Sequence, residues 1–458
     1  MAIATINPAT GVTEREFDAH TDAEIDARIG QAHDAYRAMK ATSFADRAGW
    51  MRAAANLLEA ELDSAAAMLT TEMGKTIGQS RAEVLKCAKG MRFYADHAEE
   101  FLTGRSLDDP SAVNASAAHT RYDPIGVVLA VMPWNYPLWQ VIRFAAPALM
   151  AGNAGLLKHA SNVPQAALYL DTLFERGGFP TGAFRSLLIP ASKVEGVLRD
   201  RRVVAATLTG SEPAGRSVAS IAGSEVKHVV LELGGSDPFI VMPSADIEKA
   251  VATAVSARTA NNGQACINAK RFIVHTDIHD DFLERFTAAM SALRVGDPMD
   301  ESTDVGPLAT SSGREDLVGL VDDALGKGAV ATTGGAVPDG AGWYYPPTVL
   351  SGITEDMRLY AEEAFGPVAS VFRVDSAEDA LRIANDTTFG LSSAVWTQDE
   401  HEEELFVRGL DAGAVFINGM SISYPELPFG GIKDSGVGRE LSVEGIREFV
   451  NLKSVWKA

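Results

Sequence analysis

Two spacings of apolar residues divide the chain. Towards the N-terminus they recur at helical intervals, and beyond Tyr122 they gather into short runs between turn residues. Thr21-Asp22-Ala23-Glu24 has the pattern of a capping box and is followed by Ile25, Ile29, Ala32 and Tyr36, which predicts a helix. A second start at Ser43-Phe44-Ala45-Asp46 opens an alanine- and leucine-rich helical stretch to about residue 73. A third helix is predicted over about 80–101, and the Ser-, Asp- and Ala-rich segment 104–118 reads as an excursion. Strand-like runs then alternate with helical ones: IGVVLAVMP, a helix from about Leu138, GLLKHA, a helix from about Pro164, FRSLLIPA, VVAATLTG, a short helix and HVVLELGG. Such alternation predicts an α/β fold with a parallel sheet covered on both faces, in which ligands bind beyond the carboxyl ends of the strands. A second block follows Gly235: PFIVMP, a helix over about 246–260, a polar loop, RFIVH and a helix from about Asp280.

Composition narrows the class. The 458 residues are 46% hydrophobic and 22% charged, ordinary for a globular protein of two or three domains. With 61 acidic against 40 basic residues the net charge is −21, which disfavours nucleic acid and anionic membranes as partners. The most apolar stretch, 125–157, carries Asn135, Gln140, Arg143, Asn153 and three prolines, so it reads as buried strand and helix and not as a membrane span. Two cysteines make no disulfide framework, and MAIATINPATG lacks a basic n-region and an apolar h-region, so a cytoplasmic location is expected. The nine histidines are scattered and no metal site is expected.

Candidate chemistry centres on Cys266 in ANNGQACINAKRFIVH. A free cysteine is most often a small buried hydrophobe, but this one sits on a loop delivered between a helix and a strand. A nucleophilic thiol needs a base or a positive environment, and its attack needs a donor to the oxyanion. Glu232 in LELGG and Asn135 in MPWNYPLWQ both end apolar runs and suit those two roles. Cys87, between lysines in a helix, reads as structural or surface. Gly210-Ser211 with Gly215 stands between a strand and a helix N-terminus, a place suited to an anion, without being the GxGxxG fingerprint.

PWN, LELGG, GQxC, EEAFGPV and PFGGIKDSGVGRE, in this order and spacing, resemble the aldehyde dehydrogenase superfamily over essentially the whole chain. The resemblance implies a Rossmann-type cofactor domain (1–105 and 125–234), an α/β catalytic domain (235–434) and a small β oligomerisation element (106–124 and 435–458). It also implies a homodimer or homotetramer, with the tail NLKSVWKA pairing with another subunit. By the same resemblance Cys266 attacks an aldehyde, Asn135 and the Cys266 N–H hold the oxyanion, and Glu232 activates the water that hydrolyses the thioester. Trp134, Asn135, Lys158, Ser161, Gly210, Ser211, Leu233, Glu363 and Phe365 would line the nicotinamide dinucleotide.

Two departures from the family pattern bear on specificity. Many NAD-preferring members carry a glutamate three residues after the lysine matching Lys158; here Ser161 stands there, which favours NADP, with NAD as a lesser cofactor. Asn268 occupies the place where some relatives carry a second, redox-locking cysteine. Arg143 and Ser423 resemble substrate contacts of succinate semialdehyde dehydrogenases, whose shorter bacterial branch also shares the LLKHASN and NNGQAC variants. A fixed guanidinium at the aldehyde entrance would clamp a distal carboxylate. The second substrate arginine of some relatives is replaced by Ala260. Glutarate semialdehyde or a neutral aldehyde stays open as substrate, and a thiol-dependent esterase or a non-catalytic relative as function.

Overall fold

Both capping boxes form. The Thr21 hydroxyl accepts the Glu24 N–H at 3.3 Å while the Thr21 N–H donates to the Glu24 carboxylate at 2.7 Å, and Ser43 and Asp46 repeat the exchange at 3.1 and 3.0 Å. In this computed structural model, which describes residues 2–458, they open the helices Asp22–Met39 and Phe44–Ala60. The predicted single helix to residue 73 is two: the backbone leaves helical geometry at Glu61 (φ −100°, ψ 19°), whose carboxylate meets Tyr169 and Arg176, and Leu62–Met73 resumes beyond it. The third helix starts earlier than expected, at Ile77, whose N–H donates to the Pro298 carbonyl at 2.8 Å. The helix expected from about Asp280 likewise starts at Thr276, capped by the His275 side chain.

The alternating region builds two largely parallel sheets. In the first, His228–Glu232, Val203–Thr209, Val127–Met132, Ala154–His159 and Phe184–Ser186 lie side by side in that order, all parallel, with Gly436–Val437 antiparallel on the outer edge beside His228–Glu232. The second runs Val330–Thr333, Thr348–Ser351, Val368–Val374, Ala269–His275, Asp237–Val241, Ser393–Trp396 and Val415–Ile417, parallel except for its first strand. Only 233–236 separate the last residue of His228–Glu232 from the first of Asp237–Val241, so the chain passes directly from one sheet to the other. Val450–Lys457 pairs antiparallel with Ala117–Pro124 in a separate two-stranded sheet. The stretch 435–449, grouped by sequence with that element, departs from it: Gly436–Val437 extends the first sheet and Ser442–Arg447 packs against the helix Trp139–Ala151. Among the described residues no helix is long and apolar enough to cross a membrane.

The helix Trp139–Ala151 is buried along its whole length, between the first sheet and the helix Ile77–Phe101. Two of its residues, Gln140 and Arg143, are polar, and buried polar groups must find partners inside the protein. That requirement shapes the site.

Candidate active site

The loop that carries Cys266 is a buried turn held by its own side chains. After the helix Ile247–Thr259 the backbone takes left-handed geometry at Asn261 (φ 57°), Asn262 (φ 55°) and Gly263 (φ 76°). Asparagine tolerates that region better than most residues. At Gly263 the reason for glycine is also contact, since a Cβ there would stand 2.3 Å from the Gly366 carbonyl carbon. Asn261 Nδ2 donates to the Asn135 carbonyl at 2.8 Å, and Asn262 Nδ2 to those of Gly74 and Pro307 at 2.8 and 3.0 Å. Asn268 closes the turn: its Oδ1 accepts the Ala265 N–H at 2.6 Å, and its Nδ2 donates to the Ala257 and Ala260 carbonyls at 2.8 and 3.2 Å.

Cys266 stands between two cavities and lines both. One, of about 240 Å³, is bounded by Trp134, Asn135, Gly210, Ser211, Leu233, Glu363 and Phe365, among others. The other, of about 250 Å³, is bounded by Lys86, Trp139, Gln140, Arg143, Ser423 and Phe429, with apolar residues around them. Burial pushes the Cys266 thiol up to about 12, against the pull of Arg143 and Lys270. Lys270 Nζ donates to the Ala265 and Cys266 carbonyls at 2.9 and 2.6 Å and lies 2.8 Å from Glu363 Oε1. Asn135 Oδ1 accepts the Tyr136 N–H at 3.0 Å and Gln140 Nε2 at 3.5 Å, which turns the amide so that its Nδ2 is free to donate. Among the described residues the Cys266 N–H also has no acceptor, so two donors are unspent beside the thiol.

Glu232 ends its strand fully enclosed, 1% exposed, with neither carboxylate oxygen hydrogen-bonded, and it lines neither cavity, although its neighbour Leu233 lines the first. Its room comes from Gly430, where a Cβ would stand 2.6 Å from Glu232 Oε1. Burial first, and then the Glu440 carboxylate, hold its proton well above the usual carboxylate range. Arg143, expected to extend a guanidinium at the aldehyde entrance, is 2% exposed and forms an ion pair with Glu440. Its guanidinium also packs over the Phe429 ring at 4.5 Å, so it lines the second cavity as part of a wall.

The first cavity has the features of a dinucleotide site. Ser211 caps the helix Glu212–Ser224 without a side-chain hydrogen bond, leaving first-turn N–H groups for an anion. Trp134 and Phe365 meet edge to face at 5.7 Å on its wall. Lys158 and Ser161, expected on the dinucleotide, do not line this cavity. Lys158, at the end of the neighbouring strand Ala154–His159, is buried with its pKa lowered by burial alone, and Asn162, next to the half-buried Ser161, has a buried Nδ2 with no partner. An unpaired ammonium and an unpaired amide at a strand end fit a phosphorylated ribose. Among the described residues no three His, Cys, Asp or Glu side chains converge to hold a metal.

The aldehyde dehydrogenase family model matches residues 1–455. The chain belongs to the aldehyde dehydrogenase family. It is 63% identical over 458 residues, the full length of both chains, to a protein of Mycobacterium tuberculosis (strain H37Rv) named succinate-semialdehyde dehydrogenase [NADP(+)] 1. It is 61% identical over 457 residues to the succinate-semialdehyde dehydrogenase [NADP(+)] of Mycobacterium avium, covering all of this chain and 97% of that one. Among solved structures, the succinic semialdehyde dehydrogenase of Streptococcus pyogenes in complex with NADP+ superposes with a TM-score of 0.96 at 36% identity over 99% of each chain.

Three residues of this aldehyde dehydrogenase site went unread in the sequence. Asn268 registered only as a missing cysteine, yet it makes three hydrogen bonds that set the turn before the nucleophile. Lys270 joins that turn to Glu363. The signal in the sequence is the adjacent pair Lys270-Arg271 at the start of a strand that continues FIV, since buried cations need partners. Lys86 neighbours Cys87 in a helix, and only packing against Ser423 and Trp139 shows that it borders the second cavity.

Proposed function

We propose that this aldehyde dehydrogenase oxidises succinate semialdehyde to succinate with reduction of NADP. One observation carries the reading: the single thiol bordering both cavities has a dinucleotide-type site on one side and, on the other, a pocket that is apolar near Cys266 and cationic and hydroxylic at Lys86, Arg143 and Ser423. The relatives' names support the substrate and cofactor, and Ser161, with no carboxylate to repel a 2'-phosphate, supports NADP over NAD.

Cys266 Sγ attacks the aldehyde carbon as thiolate, and the carbonyl oxygen takes the charge. Asn135 Nδ2 and the Cys266 N–H donate to that oxygen where its charge develops. Trp134, Lys158, Ser161, Gly210, Ser211, Leu233, Glu363 and Phe365 would hold NADP. When bound, its nicotinamide would supply the hydride acceptor, and loss of hydride from the carbon held on Cys266 would leave a thioester there. Glu232 takes a proton from water, whose oxygen joins the thioester carbon and releases succinate and the thiol. The raised Glu232 pKa suits a group that accepts a proton and gives it up again. Residues 1–105 and 125–234 serve as the cofactor-binding part and 235–434 as the catalytic part.

The test follows reduced nicotinamide by absorbance with succinate semialdehyde, glutarate semialdehyde and butanal, each with NADP and with NAD. The highest kcat/KM is expected for succinate semialdehyde with NADP. A higher kcat/KM with NAD removes the reading of Ser161, and a preference for butanal removes the substrate. Thioester hydrolysis without nucleotide consumption would favour an esterase.

A further inference from the structure

We propose that Lys270 is a positioning residue: its one ammonium fixes the Cys266 loop and Glu363 in a common frame, so that a single side chain sets the thiol and the dinucleotide relative to each other. This rests on the reading of Glu363 as part of the NADP site. Lys270 is the second residue of the strand Ala269–His275, at the point where its pairing with Asp237–Val241 slips. Ala269 stands opposite Asp237 and Arg271 opposite Pro238, which leaves Lys270 as the extra residue of a bulge. A bulge re-aims a side chain that regular pleating would send elsewhere, and such insertions gather beside active sites. Here the lysine turns back on the loop before it and donates to the Ala265 and Cys266 carbonyls at 2.9 and 2.6 Å.

On its other side the ammonium forms an ion pair with Glu363, Nζ lying 2.8 Å from Oε1. Among the described residues that buried oxygen accepts no hydrogen bond, so it is held by charge and its lone pairs stay available to a ligand. Gly234 seats the carboxylate against the wall of the first cavity, since a Cβ there would stand 2.9 Å from Glu363 Oε2. The backbones of the two segments are joined separately: the fully buried Arg258 donates to the Gly263 and Ala364 carbonyls at 2.6 and 3.4 Å. Arg258 keeps the segments together, and Lys270 adds the placement and the charge of their reactive ends. Those charges act on the thiol with opposite sign. Against burial, Arg143 and then Lys270 favour the thiolate, whereas Glu363 and then Asp237 oppose it. Burial likewise raises the Glu363 pKa, with Lys270 the main influence against it and Glu212 adding to it.

The experiment sets Lys270→Met, Glu363→Gln and the double variant in a cycle. It reads NADP affinity by tryptophan fluorescence and, in the nucleotide-free enzyme at neutral pH, the alkylation of Cys266 by iodoacetamide, with melting temperature as control. NADP should bind roughly tenfold more weakly to each single variant, and the double variant should lose little beyond Glu363→Gln, because both changes break one contact. Alkylation should slow about three- to tenfold in Lys270→Met and accelerate by a similar factor in Glu363→Gln. Opposite directions distinguish a charged positioning pair from a merely structural contact, whose loss loosens the loop alike from either end. Glu363→Gln leaves both loop bonds of Lys270 in place and carries the test should Lys270→Met fail to fold. Undiminished NADP affinity in Lys270→Met, additive losses in the cycle, or a Glu363→Gln alkylation rate at or below that of wild type overturns the role of Lys270 alone. A Glu363→Gln variant that binds NADP as tightly as wild type overturns the reading of Glu363 as a dinucleotide residue and the role of Lys270 with it.

Discussion

At the scale of single residues, burial holds the reactive groups of the site protonated, and the nearby cations oppose it only in part. The Cys266 thiol is pushed up to about 12, so its thiolate fraction rises with pH across the neutral range with no plateau there. Inactivation of the free enzyme by iodoacetamide should accelerate about tenfold per pH unit from pH 7 to 9 and be abolished in Cys266→Ala, because the fully buried Cys87 is out of reach. A plateau below pH 8.5 would contradict this environment. Glu232, held above its usual range, gains its base form as pH rises, so kcat should climb with pH in wild type. Glu232→Gln should flatten that profile and leave an acyl-enzyme detectable by mass spectrometry after quenching. Wild-type turnover with unmodified Cys266 would remove Glu232 from hydrolysis. Arg143→Leu is expected to act on the protein and not on one substrate. It strands Glu440 beside Glu232, which should cost about 3–5 kcal/mol and depress turnover of succinate semialdehyde and butanal together. A normal melting temperature with loss confined to succinate semialdehyde would return Arg143 to the substrate.

At the scale of elements, local chemistry was legible and distant pairing was not. The capping boxes, the strand-to-helix alternation and the loop position of Cys266 depend on residues within a few places of one another, and the structure follows them. The helix break at Glu61 depends on Tyr169 and Arg176, and the commitment of Arg143 depends on Glu440; both partners arrive only when distant segments pack. Lys86 is the clearest case, since nothing around it in EVLKCAKGM distinguishes it from a surface lysine. The turn before the nucleophile lies between these extremes. Asn-Asn-Gly signals left-handed backbone, but the role of Asn268 shows only once its amide reaches both the turn and the preceding helix. Asn268→Ala leaves the Ala265 N–H and two carbonyls without partners. It should destabilise the protein by about 1–3 kcal/mol and lower kcat more than the affinity for NADP, because Cys266 alone of the first cavity's lining belongs to that loop. Calorimetry and steady-state kinetics together check this. An unchanged kcat in a destabilised protein would mean that the turn holds its shape without Asn268.

At the scale of the whole molecule, the two sheets bring their strand ends to one thiol, and the terminal hairpin stands apart from that work. Val450–Lys457 has one neighbour, Ala117–Pro124, and its outer edge is unpaired among the described residues. Leu452 and Trp456 on it are 58% and 56% exposed. An exposed edge strand carrying large apolar side chains is a pairing liability unless another chain covers it. We infer that it forms a subunit contact. A twofold interface repeats each residue, so Leu452→Lys alters two leucine environments at once. Burying one leucine contributes roughly 1.5–3 kcal/mol, so the variant should dissociate at concentrations at least about a hundredfold above those that dissociate the wild type. Light scattering over a dilution series reads this directly. Leu452 makes no contact with either cavity, so single chains that form should keep the alkylation rate of Cys266. A wild-type protein that is monomeric at high concentration, or a variant whose mass follows the wild type on dilution, would place the contact elsewhere.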